Sequence, residues 1–122
     1  MKVLAIRGAT TVESNDREQI LNETAILMKD IIYKNKLELD DIISICFTMT
    51  KDLDKVYPAV AVREILNITD IPLLNFEEKY IEGSLDMCIR VLVHINSEKS
   101  KFDIKHIYLK KAKELRNDIL SN

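Results

Sequence analysis

Arginine interrupts two of the most apolar, strand-like runs of this 122-residue chain. Arg7 lies near the end of Val3-Leu4-Ala5-Ile6-Arg7-Gly8, and Arg90 sits inside Met87-Cys88-Ile89-Arg90-Val91-Leu92-Val93. Arginine is almost never fully buried without a partner, and an unpaired charge in a core costs on the order of several kcal/mol. Whatever these runs fold into must therefore bring an anion to each guanidinium, either a side chain or a ligand. Strand alternation puts Val3, Ala5 and Arg7 on one face and Leu4, Ile6 and Gly8 on the other. It also groups Cys88, Arg90, Leu92 and His94 opposite Ile89, Val91 and Val93. If the two strands are neighbours, both arginines point into one cavity.

The choice of cation carries information. Of the 18 basic residues, 13 are lysine and only five are arginine: Arg7, Arg17, Arg63, Arg90 and Arg116. The planar guanidinium fork grips a carboxylate with two parallel hydrogen bonds, which an ammonium cannot do. For either strand arginine alone, a local acid is the simpler explanation: Glu13 for Arg7, Glu78 or Asp86 for Arg90. Two such arginines in one small domain favour an anion site. Tyr108 reads either as core or as a donor to the same anion. Glu78 alone reads as a solvated loop acid, and Arg63 and Arg116 alone read as surface residues.

Other chemistries find little support. A formal net charge of −2 argues against nucleic acid as the main partner. No apolar window approaches the ~20 residues of a membrane span and no signal-peptide pattern is present, so the expected compartment is the cytoplasm. Cys46 and Cys88 read as reduced thiols, and His94 and His106 are too few and too isolated for a metal site. The two glycines, Gly8 and Gly83, exclude a nucleotide-binding loop. No nucleophile is framed by a base, so an enzyme built on this chain works by positioning and electrostatics.

The pattern predicts strands at 2–8, 42–49, 71–74, 85–96 and 104–109. A long amphipathic helix is predicted over about 16–35, with Asn15 and Glu18 as its capping box, and a short helix over 58–66. Residues 75–84 read as a polar loop. The order β-α-β-α-β-β-β implies a single-domain, five-stranded mixed sheet of α/β or α+β class. The expected domain is 1–122, with about 110–122 as a flexible tail. The short helix cannot cover a second sheet face alone, so a homo-oligomer is expected to bury the remainder.

Several of these runs together resemble the AroH-type chorismate mutases. The resemblance rests on Ile6-Arg7-Gly8-Ala9-Thr10-Thr11-Val12-Glu13, on Tyr57-Pro58-Ala59 with Ala61-Val62-Arg63-Glu64, and on Cys88-Ile89-Arg90-Val91. It continues through His106-Ile107-Tyr108-Leu109, Lys111-Ala112 and Leu115-Arg116. It implies a homotrimer with a pseudo-α/β-barrel core and active sites between subunits, needing neither cofactor nor metal. The implied reaction is the rearrangement of chorismate, a dicarboxylate, to prephenate. Arg90 is then the central catalytic cation on the ether oxygen, Arg7 holds the enolpyruvyl side chain with Tyr108 assisting, and Glu78 accepts from the ring hydroxyl. Tyr57, Ala59, Leu73, Leu74 and Asn75 would line the wall from the adjacent subunit, and Arg63, Leu115 and Arg116 would lie at the mouth and tail. Two positions depart from the family pattern: Asn75 replaces a usual cysteine, and Val60 replaces a common lysine. Two other readings remain open, a trimeric carboxylate-binding regulator without turnover, and a deaminase of enamines or imines with similar architecture. Turnover of chorismate separates the first from an enzyme, and ammonia release identifies the second.

Overall fold

The computed structural model describes residues 1–115. Its elements are β1 (Lys2–Thr11), α1 (Arg17–Lys34), β2 (Ile42–Met49), α2 (Ala59–Glu64), β3 (Leu73–Glu77), β4 (Cys88–Ser97) and β5 (Ile107–Tyr108), with short 3-10 turns between some of them. The five strands form one mixed sheet in the order β3-β2-β4-β1-β5. Its centre is the antiparallel β1–β4 ladder, in register from Lys2 opposite Ser97 to Thr11 opposite Cys88. β2 lies antiparallel on the other side of β4, while β3 and β5 join as parallel edges.

Alternation then sorts the side chains. Ile6, Ile45, Phe47, Ile89, Val91, Val93 and Ile107 project to one face, where they form a single core with Ile20, Leu27, Met28 and Ile31 of α1 and Ala59 and Val62 of α2. Each such aliphatic side chain, fully buried, contributes roughly 1.5–3 kcal/mol of transfer free energy. Both helices thus cover the same face. α1 starts at Asp16, whose carboxylate accepts from the Gln19 amide at 3.1 Å. Gln19 returns the favour, its Oε1 accepting from the amides of Glu13 and Ser14. The cap therefore falls one residue later than the Asn15–Glu18 box expected from sequence, because Gln19 can reach back to the entering chain and Asn15 instead bonds Asp54.

The opposite face carries Arg7, Cys46, Thr48, Leu74, Phe76, Arg90, Leu92 and His94, and little of the described chain covers it. Arg7 is exposed, and the Arg90 side chain is 45% exposed. The expectation of core arginines is corrected accordingly: the apolar neighbours in both runs belong to the helix-covered face, and the arginines belong to the open one. One end of the open face is roofed by the 3-10 segment Lys110–Leu115, where Ala9, Cys88 and Ala112 are buried beside Leu85, Tyr108 and Leu115. The stretch read as a tail is thus packed as far as Leu115, anchored by an ion pair from Lys110 to Glu23 of α1 at 3.4 Å. Arg116 and the rest of the expected tail lie outside the described residues. The edge strands also differ from the sequence reading. β3 runs on through Asn75, Phe76 and Glu77 because β2 offers it paired backbone as far as Met49, and β5 shrinks to two residues beside Gly8 and Ala9.

Gly8 is where β1 passes closest to α1. A Cβ there would lie 2.8 Å from Ile31 Cδ1, 3.0 Å from Val91 Cγ1 and 3.2 Å from Leu27 Cδ1. Overpacking a core typically costs about 1–3 kcal/mol, so Gly8→Ala is expected to lower the unfolding free energy by that order, read as a lower urea midpoint. Adding Ile31→Val removes the nearest atom and should restore part of the loss. An additive double variant would show that close packing is not the cause.

Candidate active site

Five strands bring a small set of polar groups together on the open face. Arg90 stands opposite Ala9 on β1 and opposite Thr48 on β2. Arg7, opposite Leu92, is its diagonal neighbour, and diagonal neighbours lie about 7–8 Å apart, within reach of long side chains. Tyr108 lies beside Ala9 on the next strand, and Thr48 lies beside Phe76 of β3. A cavity of about 380 Å³ is lined by Arg7, Cys46, Thr48, Glu78, Arg90 and Tyr108, with Leu115 at its rim. That volume suits a small organic ligand.

Glu78 enters from just beyond the end of β3. Its amide donates to the Met49 carbonyl at 2.8 Å, which continues the β2–β3 pairing by one step. Its Oε1 accepts from the Thr48 hydroxyl and pairs with Arg90 Nε at 3.1 Å. Of the two acids the sequence offered to Arg90, the fold selects Glu78. Glu13 does not meet Arg7, and among the described residues the Arg7 guanidinium has neither an ion pair nor a hydrogen bond. Its backbone is fixed instead, the amide donating to His106 Nδ1 at 2.9 Å. This accepted bond places the His106 proton on Nε2.

Two groups beside the cavity have shifted titration. Burial pushes the Cys88 thiol up to about 11, against the opposing pull of Arg90, so the thiol stays neutral and packs under the arginine. Burial, then the charge of Arg7, holds His106 below its usual 6.5.

The remaining expected residues fall elsewhere. Tyr57 and Asn75 line a second cavity of about 570 Å³ together with Val60 and Phe76. Asn75 Oδ1 accepts from the Ala59 amide at 3.1 Å and so caps the first turn of α2. Leu74 is exposed on the open face, but Leu73, opposite Ile45, packs against the core. Ala59 is fully buried. Neither Leu73 nor Ala59 presents its side chain on an open wall, since parity and the α2 packing turn both inward. Arg63 is exposed on α2 and does not line the arginine cavity. Thr48 and Cys46 were not singled out from sequence. The available signal was their parity on β2, which becomes informative only once β2 is known to pair with β4.

The model of the chorismate mutase type I family matches residues 3–119. The chain is 37% identical over 119 residues to the chorismate mutase AroH of Bacillus subtilis (strain 168), covering 98% of this chain and 94% of that enzyme. It is 36% identical over 120 residues to chorismate mutase AroH of Thermus thermophilus, covering 98% of each. A solved structure of a chorismate mutase from Clostridium thermocellum superposes with a TM-score of 0.88 at 52% identity, covering 90% of this chain and 97% of that one.

The His106 arrangement has a measurable consequence. The unfolded chain binds a proton near pH 6.5 while the folded chain resists it, so this group's contribution to stability is complete above that pH. It is lost as pH falls below 6.5 towards the depressed folded value. The urea midpoint is expected to drop from pH 7.5 to 5.5, and to drop less in His106→Asn, which keeps an acceptor but cannot titrate. Equal slopes for the two proteins would remove His106 from this role.

Proposed function

We propose, for a chain that belongs to the chorismate mutase type I family, that the Arg7–Arg90–Glu78 cavity is half of a site completed by a neighbouring subunit. The chain is a chorismate mutase, an isomerase that rearranges chorismate to prephenate on the route to phenylalanine and tyrosine. The reaction is an intramolecular [3,3]-sigmatropic shift: the ether C–O bond breaks as a C–C bond forms, and negative charge grows on the departing oxygen.

The observation that carries the site assignment is the meeting of Arg7, Arg90, Glu78 and Tyr108 around one cavity on an open sheet face. Arg90 pairs with Glu78 through Nε, which leaves the terminal amino groups of the fork for the substrate. Directed at the ether oxygen, they bind the transition state better than the ground state, and only such differential binding accelerates the step. Arg7 takes the side-chain carboxylate, with Tyr108 beside it, and holds the folded, reactive conformer. Glu78 accepts from the ring hydroxyl and complements positive charge on the ring fragment.

The second carboxylate of the substrate needs cations from elsewhere. Arg63 and Arg116 are assigned to it, with the Tyr57–Asn75 cavity of an adjacent subunit as the facing wall. Asn75 Oδ1 is already taken by Ala59, so its amide nitrogen is the group left to donate to the ring hydroxyl. The neighbouring subunit belongs to a homotrimer that buries the open face, including Val3 (64% exposed) and Leu74 (58% exposed). The whole of 1–122 is assigned to one domain. The cytoplasm is the proposed compartment, in keeping with the free thiols of Cys46 and Cys88.

Purified protein is expected to consume chorismate and yield prephenate. Arg90→Lys keeps the charge and loses the fork, and should lower kcat by roughly a hundredfold or more, the size of losing an oxyanion donor. A kcat near that of the unsubstituted enzyme would make Arg90 a structural residue. Sedimentation equilibrium should return three times the chain mass, and a monomer would rule out the shared site.

A further inference from the structure

We infer that Thr48 is a positioning residue for Glu78, dividing the carboxylate into one oxygen that is held by the protein and one that is free for substrate. The inference rests on the reading of Glu78 as a substrate contact.

Three observations carry it. First, the fold brings Thr48 to the open face directly opposite Arg90 on one side and Phe76 on the other, so its hydroxyl lies between the arginine and the end of β3. Second, its hydroxyl donates to Oε1 of Glu78, the same oxygen that pairs with Arg90 Nε. Third, the Glu78 backbone is separately fixed by the hydrogen bond that its amide donates to the Met49 carbonyl, so side-chain orientation is what the hydroxyl decides. An ionised carboxylate has about four lone-pair sites across its two oxygens. Two donors converging on Oε1 fill that oxygen and direct the remaining acceptor capacity to Oε2.

The alternative roles for Thr48 fit less well. Thr48 is partly buried, and the group its hydroxyl meets is the Glu78 carboxylate. The strand itself would accept valine equally well, because valine shares the β-branched shape. What valine cannot do is donate to Glu78. Without that bond the carboxylate is held by Arg90 alone and can swing about χ3, competing with substrate for the arginine fork. The hydroxyl therefore serves both residues: it orients the acid and limits the acid to the Nε side of Arg90.

The test is a double-mutant cycle with chorismate as substrate, read as kcat and KM. Thr48→Val is expected to lower kcat roughly tenfold with KM changed by less, the scale of a lost charge-assisted hydrogen bond. Thr48→Ser, which keeps the donor, should stay within about threefold of the unsubstituted enzyme by the same reasoning. Glu78→Gln should lower kcat by about a hundredfold on the scale of a lost electrostatic contact. In a Glu78→Ala background Thr48→Val should add little, since the group it orients is gone. Urea midpoints of all variants establish that each is folded. If Glu78→Gln is silent, the reading of Glu78 as a substrate contact is wrong. If Glu78→Gln is costly but Thr48→Val is silent, or costs the same in both backgrounds, Thr48 does not act through Glu78 and the inference falls.

Discussion

The β1–β4 ladder is the constraint on which the rest of the structure depends. Ten residues of each strand pair without interruption, and side-chain direction alternates along both. A slip of one residue on either strand would turn its arginine into the helix-covered core and expose isoleucine and valine in its place. The burial of Ile6, Ile89, Val91 and Val93 against α1 therefore does more than stabilise the sheet. It fixes which way Arg7 and Arg90 point, and their separation across the ladder follows from the same register. The site is held in place by hydrophobic packing on the face it does not occupy.

That packing explains the fixed neighbours of the arginines. Gly8 lets β1 lie against α1 directly beside Arg7, and His106 holds the Arg7 amide from the adjoining edge. Cys88 lies under Arg90 as a neutral thiol kept so by burial. These residues act on the backbone or on the base of an arginine side chain, leaving the guanidinium groups on the open face. Arginine side chains carry about 2 kcal/mol of rotamer entropy, so fixing their bases and shortening their free reach limits what ligand binding must still order.

Much of this was legible in the sequence, for physical reasons that differ between elements. Strand β2 was readable to its ends because its apolar run is bounded by polar residues, and α1 because its apolar residues recur at helical spacing. The parity of both arginines followed from alternation alone. Their exposure did not follow, because a sequence shows that two faces differ without showing which one the helices cover. The extension of β3 through Glu77 was hidden because Asn75, Glu77 and Glu78 have poor strand propensity, and it is backbone pairing with β2 that orders the segment. This matters to the site, since the extension delivers Glu78 to Arg90. Thr48 was invisible for the same reason: a threonine on a strand is ordinary until its partner across the sheet is known. Family resemblance supplied the roles proposed for Arg7, Glu78 and Arg90, and the geometry supplied how they are held.

A carboxylate beside the central cation is at first sight a poor choice, because it offsets the charge that meets the substrate. The geometry gives a reason for it. An ion pair made through Nε consumes one edge of the guanidinium and leaves the other, with its paired donors, in a fixed direction. Glu78 ties down one side of Arg90, so under the proposed assignment its remaining donors need little reorganisation when charge develops on the ether oxygen. Preorganisation of this kind is where most electrostatic catalysis originates. The offset also lowers ground-state attraction for the substrate carboxylates, which Arg7 and the neighbouring cations can supply instead. The proposed assignment thereby gives binding strength and transition-state stabilisation to different residues, a division that matches what the reaction requires: two carboxylates that keep their charge throughout, and one oxygen whose charge appears only as the bond breaks.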